Sequence, residues 1–122
     1  MADPWQGRRV LVTGASGFIG GSLLTRLRRA GAAVTAMALP GEASGLARRA
    51  EIPPSSILEL RLEDSQAFRS AVASIEPEAV FHLAGRNDRV NPADAGALLD
   101  SNIRGAYVLL DACRTLGPGS RI

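Results

Sequence analysis

The 122-residue sequence predicts an α/β fold with a doubly wound parallel sheet. Three observations support this. Strand-like apolar runs alternate with helix-like periods along the whole chain, which gives the order β-α-β-α-β-α-β-α. A glycine-rich turn joins the first strand to the first helix. The run AVFHLAG (79–85) is almost continuously apolar, as expected of a parallel strand that is covered on both faces.

The first half of the chain contains two predicted strands and two predicted helices. Residues 8–14 form an apolar strand, and residues 32–39 form the second. Between them, Ile19, Leu23 and Leu27 lie at helical spacing, and a glycine ends that helix. The stretch GEASGLARRA predicts only a short helix or a loop.

The second half begins with a third strand, residues 56–62. Asp64 is placed to cap a helix that Pro77 ends. The apolar residues of that helix recur at i, i+3, i+4 and i+7, and they are Phe68, Ala71, Val72 and Ile75.

The last predicted helix is the longest and runs over residues 92–116, with Asn91 as its cap and Pro92 at its first position. Its buried face is predicted to be broad, because two neighbouring stripes are largely apolar. One stripe contains Leu99, Ile103, Ala106, Leu110 and Cys113, and the other contains Leu98, Asn102, Gly105, Leu109 and Leu116.

The expected strand order is 3-2-1-4, which leaves the strand at 79–85 at an edge. A fifth strand is expected to begin where the sequence reaches GPGSRI. We therefore expect residues 1–122 to be an incomplete domain, truncated before its fifth strand. The alternative is a complete small flavodoxin-like domain, although such folds normally close with a further strand and helix.

Composition narrows the classes of function. The 14 basic residues are all arginine, they occur singly or in pairs, and they leave a net charge of only +2. This distribution predicts neither a nucleic-acid interface nor a membrane-binding patch. Cys113 is the only cysteine and His82 the only histidine, so no metal site is expected. The single cysteine and the polar start MADPWQGRR favour a cytoplasmic protein.

The stretch VTGASGFIG has the spacing and the position of a phosphate-binding loop. Gly14 would allow a sharp turn, Gly17 would let a pyrophosphate approach the backbone, and Gly20 would let the helix pack closely on the strand. Free N–H groups and the positive end of the helix would then face the phosphates. The alternative is a purely structural turn, since any tight connection of strand to helix needs glycine.

Three stretches carry a family resemblance: VTGASGFIG, VFHLAG and SNIRGAYVLLDACRTLG. Together they resemble the extended short-chain dehydrogenase/reductase family of sugar-nucleotide epimerases and dehydratases, whose cofactor-binding domain has the Rossmann fold. The likeness extends from about Arg9 to Ile122. It implies NAD or NADP as cofactor, a nucleotide-sugar substrate bound mainly by a part of the protein not among these residues, and a homodimer formed through the helix at 92–116.

The resemblance also implies roles for individual residues. Phe18 and Ile19 would present backbone N–H groups to the pyrophosphate, and Leu62 would lie near the adenine. The ribose on the nicotinamide side would be lined by Leu83, Ala84 and Gly85. Two further residues keep alternatives open: Ser16 would bind phosphate or cap the turn, and Asn102 would lie close to the cofactor or satisfy nearby backbone groups.

Two positions depart from the family pattern. Ala38 stands where the family commonly has an acidic residue that binds the adenine ribose, so NAD is not favoured over NADP. No arginine follows it to hold a 2′-phosphate, and only Arg48 or Arg49 could reach in. Arg61 replaces a common aspartate, and it would either stack on the adenine or remain a solvated charge.

No catalytic residue is predicted within the 122 residues. The family uses a Tyr-x-x-x-Lys pair, whereas this sequence has no lysine and its only tyrosine, Tyr107, precedes Asp111 by four positions. A nearby carboxylate raises the pKa of a phenol. His82 is expected to be a core histidine rather than a base. Two functions stay open: the cofactor-binding part of an NAD(P)-dependent enzyme, or a self-standing nucleotide-binding or interaction module.

Overall fold

A computed structural model describes residues 2–86 and 95–122 of the chain. It contains a four-stranded parallel sheet in the order β3-β2-β1-β4, which confirms the predicted order. The first strand is therefore central, and both the second and the fourth pair with it. The strands are β1 (Arg9–Thr13), β2 (Ala33–Ala38), β3 (Ile57–Glu59) and β4 (Ala79–His82).

Helices follow the strands, as the predicted alternation requires. The stretch GEASGLARRA, for which the sequence predicts a short helix or a loop, contains a helix, and a short 3₁₀ turn, Pro54–Ser56, precedes β3. The helices of the first three crossovers are α1 (Phe18–Arg29), α2 (Ala43–Ala50) and α3 (Ser65–Ile75). Asp64 caps α3 as predicted, since its carboxylate accepts the Ala67 N–H at 3.2 Å.

The core has one hydrophobic layer on each side of the sheet, because side chains of a strand alternate between its faces. Val10 and Val12 of β1 pack with Leu24 of α1 on one side. Leu11 points the other way and packs in the cluster that contains Phe68 and other residues of α3 and the last helix. Both faces of β1 are thus buried, which is typical of a doubly wound sheet.

All four strands are shorter than the sequence predicts, β1 and β2 by one residue at each end and β3 and β4 by three residues at their carboxyl ends. β3 ends at Glu59 instead of residue 62, although Leu60 N still donates to Ala38 O at 3.0 Å. β4 ends at His82 instead of residue 85, because the next two N–H groups turn toward the Thr13 hydroxyl. In both cases the residues released from the sheet lie at its carboxyl edge.

The last helix is not one regular α-helix. It is divided into α4 (Ala95–Leu99), a π-helical segment (Asp100–Arg104) and α5 (Gly105–Cys113). The predicted cap Asn91 and first residue Pro92 lie outside the described residues.

The predicted buried face of this helix is partly wrong. Leu99, Ile103 and Leu110 are 57%, 64% and 54% exposed, so most of the first predicted stripe faces solvent. The wider turn of the π-helical segment changes the angle between residues before and after it, which a regular 3.6-residue period does not describe. The buried residues of the helix are Gly105, Val108, Leu109, Ala112 and Cys113.

The outer edge of β4 is paired at its beginning. Arg121 N donates to Glu78 O at 3.0 Å, and Val80 N donates to Arg121 O at 2.8 Å. These bonds form a parallel bridge between Arg121 and Ala79. None of the described helices has the length and apolar character needed to cross a membrane.

Candidate functional site

A cavity of about 570 Å³ opens at the carboxyl edge of the sheet, where β1, β2 and β4 end. This is the edge at which open α/β sheets bind ligands, and the volume lies within the range of small-molecule sites. Nine of the residues singled out from the sequence line it: Gly14, Ser16, Gly17, Ala38, Arg61, Leu62, Leu83, Ala84 and Gly85. Phe18, Ile19, Gly20 and Asn102 do not line it.

Two glycines of the loop after β1 are required by close packing. Gly14 has φ +65°, and a Cβ there would lie 2.6 Å from backbone atoms of Leu83 and Ala84. A Cβ on Gly20 would lie 2.1 Å from Gly14 O. The predicted roles of these two glycines in the turn and in helix packing agree with these contacts.

Gly17 differs from the other two. Its φ of −73° is open to any residue, and a Cβ there would meet only Gly14 O, at 3.3 Å. The backbone of Gly17 also forms part of the cavity wall. Packing alone therefore demands glycine less strongly here than at Gly14, and a side chain at this position would border the cavity.

Among the residues that the structure describes, no side chain caps the N-terminus of α1. Gly17 is the N-cap residue, it provides no side-chain cap, and the first turn contains no acidic residue. The amides of Phe18, Ile19 and Gly20 have no acceptor within the helix, since the first amides of any helix lack one. Phe18 is 96% exposed, so its side chain does not cover this end. The arrangement can hold an anion.

One carboxylate lies at the β2 side of the cavity. Glu42 Oε2 accepts the hydroxyl of Ser16 at 2.5 Å and the N–H of Leu39 at 3.3 Å. Arg49 Nη2 donates to Ser16 O at 3.1 Å. Ser16 therefore joins the glycine loop to α2, and of the two arginines considered from the sequence, Arg49 is tied to the loop.

Thr13 and His82 hold the opposite wall in place. The buried Thr13 hydroxyl lies 2.8 Å from His82 Nδ1 and accepts the N–H groups of Leu83 and Ala84, each at 3.2 Å. Burial lowers the pKa of His82 below its usual 6.5. His82 supports the turn after β4 and does not line the cavity.

Asn102 lies in the π-helical segment and forms two hydrogen bonds with the backbone of the loop after β4. Its Oδ1 accepts Arg86 N–H at 2.6 Å, and its Nδ2 donates to Arg86 O at 2.8 Å. Of the two roles that the sequence allows for Asn102, these hydrogen bonds correspond to the second, in which the side chain satisfies nearby backbone groups. The neighbouring Ser101 lines the cavity, so the π-helical segment brings one side chain to the loop and one residue to the site.

Several cavity residues escaped sequence reasoning: Met37, Leu39, Glu42, Leu60, Glu63 and Ser101. Glu42 had a signal, because Pro-Gly directly before it predicts a turn that reverses the chain at the end of β2. Ser101 had none. Among residues 2–86 and 95–122, no group of three or more His, Cys, Asp or Glu residues is placed to hold a metal ion.

Residues 10–122 match the sequence profile of the NAD dependent epimerase/dehydratase family. This match covers more than half of the chain, and it includes the glycine loop and, apart from Arg9, all residues of the four strands. The chain belongs to this family. A reductase from Streptomyces bikiniensis, dTDP-4-dehydro-6-deoxy-D-allose reductase, is 33% identical over 99% of the chain and 38% of its own length. The chain thus spans less than half of that relative.

Solved structures of family members and related proteins have the same fold. UDP-glucose 4-epimerase from Thermotoga maritima, solved with UDP-glucose, is 27% identical over 85% of this chain and 33% of its own, with a TM-score of 0.73. The enzyme WbmH from Bordetella bronchiseptica, solved with NAD⁺, has a TM-score of 0.76 at 21% identity and covers 89% of this chain and 36% of its own. The latter likeness supports the Rossmann fold, and the family itself is NAD dependent.

Proposed function

We propose that the cavity binds NAD, with the pyrophosphate against the first amides of α1, and that the chain is the dinucleotide-binding part of an enzyme acting on a nucleotide sugar. The observation that carries this proposal is the uncapped N-terminus of α1 beside a glycine-lined cavity. The family's NAD dependence and the sugar-nucleotide relatives support it.

Each wall has a part in this proposal. Gly17 lets the pyrophosphate approach the backbone, and Phe18 and Ile19 offer N–H groups while their side chains point away. Leu62 and Arg61 border the adenine. Leu83, Ala84 and Gly85 border the ribose on the nicotinamide side, held there by Thr13. NAD supplies a hydride acceptor at its nicotinamide ring.

The acid–base residues of the reaction are expected outside these 122 residues. The sequence has no lysine, and Tyr107 is 65% exposed on the surface of α5. Asp111, four residues later, is paired with Arg69 at 2.6 Å and with Arg114 at 3.2 Å. The Tyr107 phenol therefore has no lysine beside it to play the part of the second residue of the Tyr-x-x-x-Lys pair. A cytoplasmic location stays a prediction from the sequence.

We also infer that the protein forms a homodimer through the last helix. Its surface carries four exposed apolar residues at helical spacing, and we call them the apolar stripe: Leu99, Ile103, Tyr107 and Leu110. A solvated stripe of this kind on one helix face is typical of an interface. The resemblance to the family implied the same helix.

A single substitution separates binding from folding. Gly17→Asp creates a favoured N-cap residue whose charge also suits the helix dipole, so the free energy of unfolding is expected to change by less than about 1 kcal/mol. The same carboxylate would occupy the proposed pyrophosphate position. We expect the Kd for NAD⁺, measured by isothermal titration calorimetry, to rise at least about tenfold, ~1.4 kcal/mol.

Gly21→Asp is the matched control. It adds the same charge to α1 one turn later, outside the cavity lining, at a position where a Cβ meets nothing closer than 3.6 Å. Its affinity for NAD⁺ is expected to stay close to that of the unchanged chain. Equal loss of affinity in both variants, or no binding by the unchanged chain, would refute the proposed site.

A further inference from the structure

The geometry points to Glu42 as the residue that selects NAD over NADP. This inference rests on the proposed function and adds a residue that the sequence pattern did not assign. The acidic residue that commonly ends β2 in such proteins is Ala38 here, which left the choice of cofactor open. Glu42 brings a carboxylate back to that position from four residues further along the chain.

A tight turn accomplishes this return. Pro40 and Gly41 occupy its centre, Gly41 has φ +92°, and Glu42 N donates to Leu39 O at 3.1 Å. Proline followed by a glycine with positive φ is the signature of a type II turn. The chain therefore reverses directly after β2, and the Glu42 carboxylate accepts the N–H of Leu39 at 3.3 Å.

A second hydrogen bond fixes the Glu42 carboxylate from the cavity side. Its Oε2 accepts the Ser16 hydroxyl at 2.5 Å, and Ser16, Ala38 and Glu42 all line the cavity. Both contacts use Oε2, and no other described residue donates a hydrogen bond to Oε1. A ribose with free 2′- and 3′-hydroxyls can donate to such an oxygen, since carboxylates act as acceptors only.

A 2′-phosphate would instead meet a fixed negative charge. Like charges forced together at a binding site cost affinity, and the dianion of a phosphate cannot donate to the carboxylate. The arginines that could neutralise this charge either donate a hydrogen bond to another group or lie on another part of the cavity wall. Arg49 Nη2 donates to Ser16 O at 3.1 Å, Arg61 lies beside Leu62, and Arg86 follows β4, on the side of the cavity opposite to β2.

The test compares NAD⁺ with NADP⁺ by isothermal titration calorimetry on the purified chain. We expect the unchanged protein to bind NAD⁺ at least about tenfold more tightly, ~1.4 kcal/mol. Glu42→Gln keeps an acceptor for Ser16 and Leu39 but removes the charge. It should improve the Kd for NADP⁺ and thereby reduce the preference at least about threefold, ~0.7 kcal/mol.

Glu59→Gln is the charge-matched control. Glu59 Oε2 accepts the N–H of Gly41 in the same turn, yet this residue does not line the cavity. Its substitution removes one negative charge nearby and should leave the NAD⁺/NADP⁺ ratio unchanged. An equal shift in both variants would overturn the assignment to Glu42, because general electrostatics would then explain the preference.

A further measurement uses only the unchanged chain, so it tests the role of Glu42 even if a variant does not fold. AMP and adenosine 2′,5′-bisphosphate differ only by the 2′-phosphate, and AMP should compete more strongly against bound NAD⁺. Equal competition, or equal Kd values for the two dinucleotides, would overturn the role of Glu42 while leaving the proposed function intact. Failure of every one of these nucleotides to bind would overturn the proposed function itself.

Discussion

The hydrogen bonds of the Thr13 hydroxyl fit a neutral His82. A hydroxyl has one hydrogen and two lone pairs. Thr13 Oγ1 accepts N–H groups from Leu83 and Ala84, each at 3.2 Å, so its hydrogen is left for His82 Nδ1 at 2.8 Å. His82 is then neutral, with its own hydrogen on Nε2. The turn that borders the cavity thus depends on an uncharged histidine.

This arrangement predicts a loss of stability in mild acid. Burial lowers the pKa of His82 in the folded chain, whereas the unfolded chain retains the ordinary 6.5. The unfolded state therefore binds more protons between these two values, and protonation favours unfolding. The contribution of neutral His82 to the free energy of unfolding is complete above pH 6.5, and it is lost as the pH falls through the lower, folded-state pKa.

The measurement is urea unfolding from about pH 7.5 to about pH 5, in the unchanged chain and in His82→Gln. Carboxylates contribute equally to both proteins, so the difference between the two curves isolates the histidine. We expect this difference to shrink toward acid pH. Parallel curves over the whole range would show that His82 titrates no differently in the folded and unfolded chains.

The sequence predicted which residues border the cavity better than it predicted which groups their side chains contact. The glycine spacing located the cavity wall, because Gly14 and Gly20 are required by short backbone distances that only glycine permits. The sequence allows two roles each for Asn102 and Ser16, since it does not specify which nearby group a polar side chain reaches. The sequence pattern did not predict Glu42, because the family pattern places the acidic residue at the end of β2, whereas Glu42 reaches that place from beyond a turn.

At the scale of elements, regular periodicity was sufficient for the sheet and insufficient for the last helix. Alternating strands and helices predicted the order of β1 to β4. The π-helical segment Asp100–Arg104 has no periodic signature, and it redirects the face that packs on the sheet. Leu99, Ile103 and Leu110 consequently lie on the surface, although their spacing predicted burial.

The apolar stripe gives a prediction about assembly. Ile103→Arg places a charge in the middle of the stripe, and burying an unpaired charge at an interface is costly. We expect the dimer–monomer dissociation constant to rise at least about tenfold. Sedimentation equilibrium over a range of protein concentrations measures it directly.

Phe18→Arg provides the comparison for assembly. Phe18 is the most exposed of the large apolar side chains described, at 96%, but it belongs to α1 and not to the apolar stripe. Its substitution should leave the dissociation constant unchanged. Association that responds to Phe18 and not to Ile103 would move the interface away from the last helix.

At the scale of the whole molecule, the cavity lies between two parts of one sheet. β2 and its following turn form one wall, the turn after β4 forms the other, and β1 lies between them with the glycine loop at its end. Thr13, the last residue of β1, hydrogen-bonds across to the β4 side, and Ser16 hydrogen-bonds to the β2 side. A ligand in this cavity would contact all three segments and would be absent from the unfolded chain.

Binding should therefore stabilise the entire chain. A ligand that binds only the folded state at 100 times its Kd adds about 2.7 kcal/mol to the free energy of unfolding. For a domain of this size, each kcal/mol raises Tm by about 4 °C, so saturating NAD⁺ should raise Tm by about 10 °C. Gly17→Asp should retain the Tm of the free chain and lose this response, because its carboxylate blocks the pyrophosphate without removing any core contact. Differential scanning calorimetry with and without NAD⁺ measures both quantities in one experiment. A shift of the same size in both proteins would mean that NAD⁺ stabilises the chain from some place other than the N-terminus of α1.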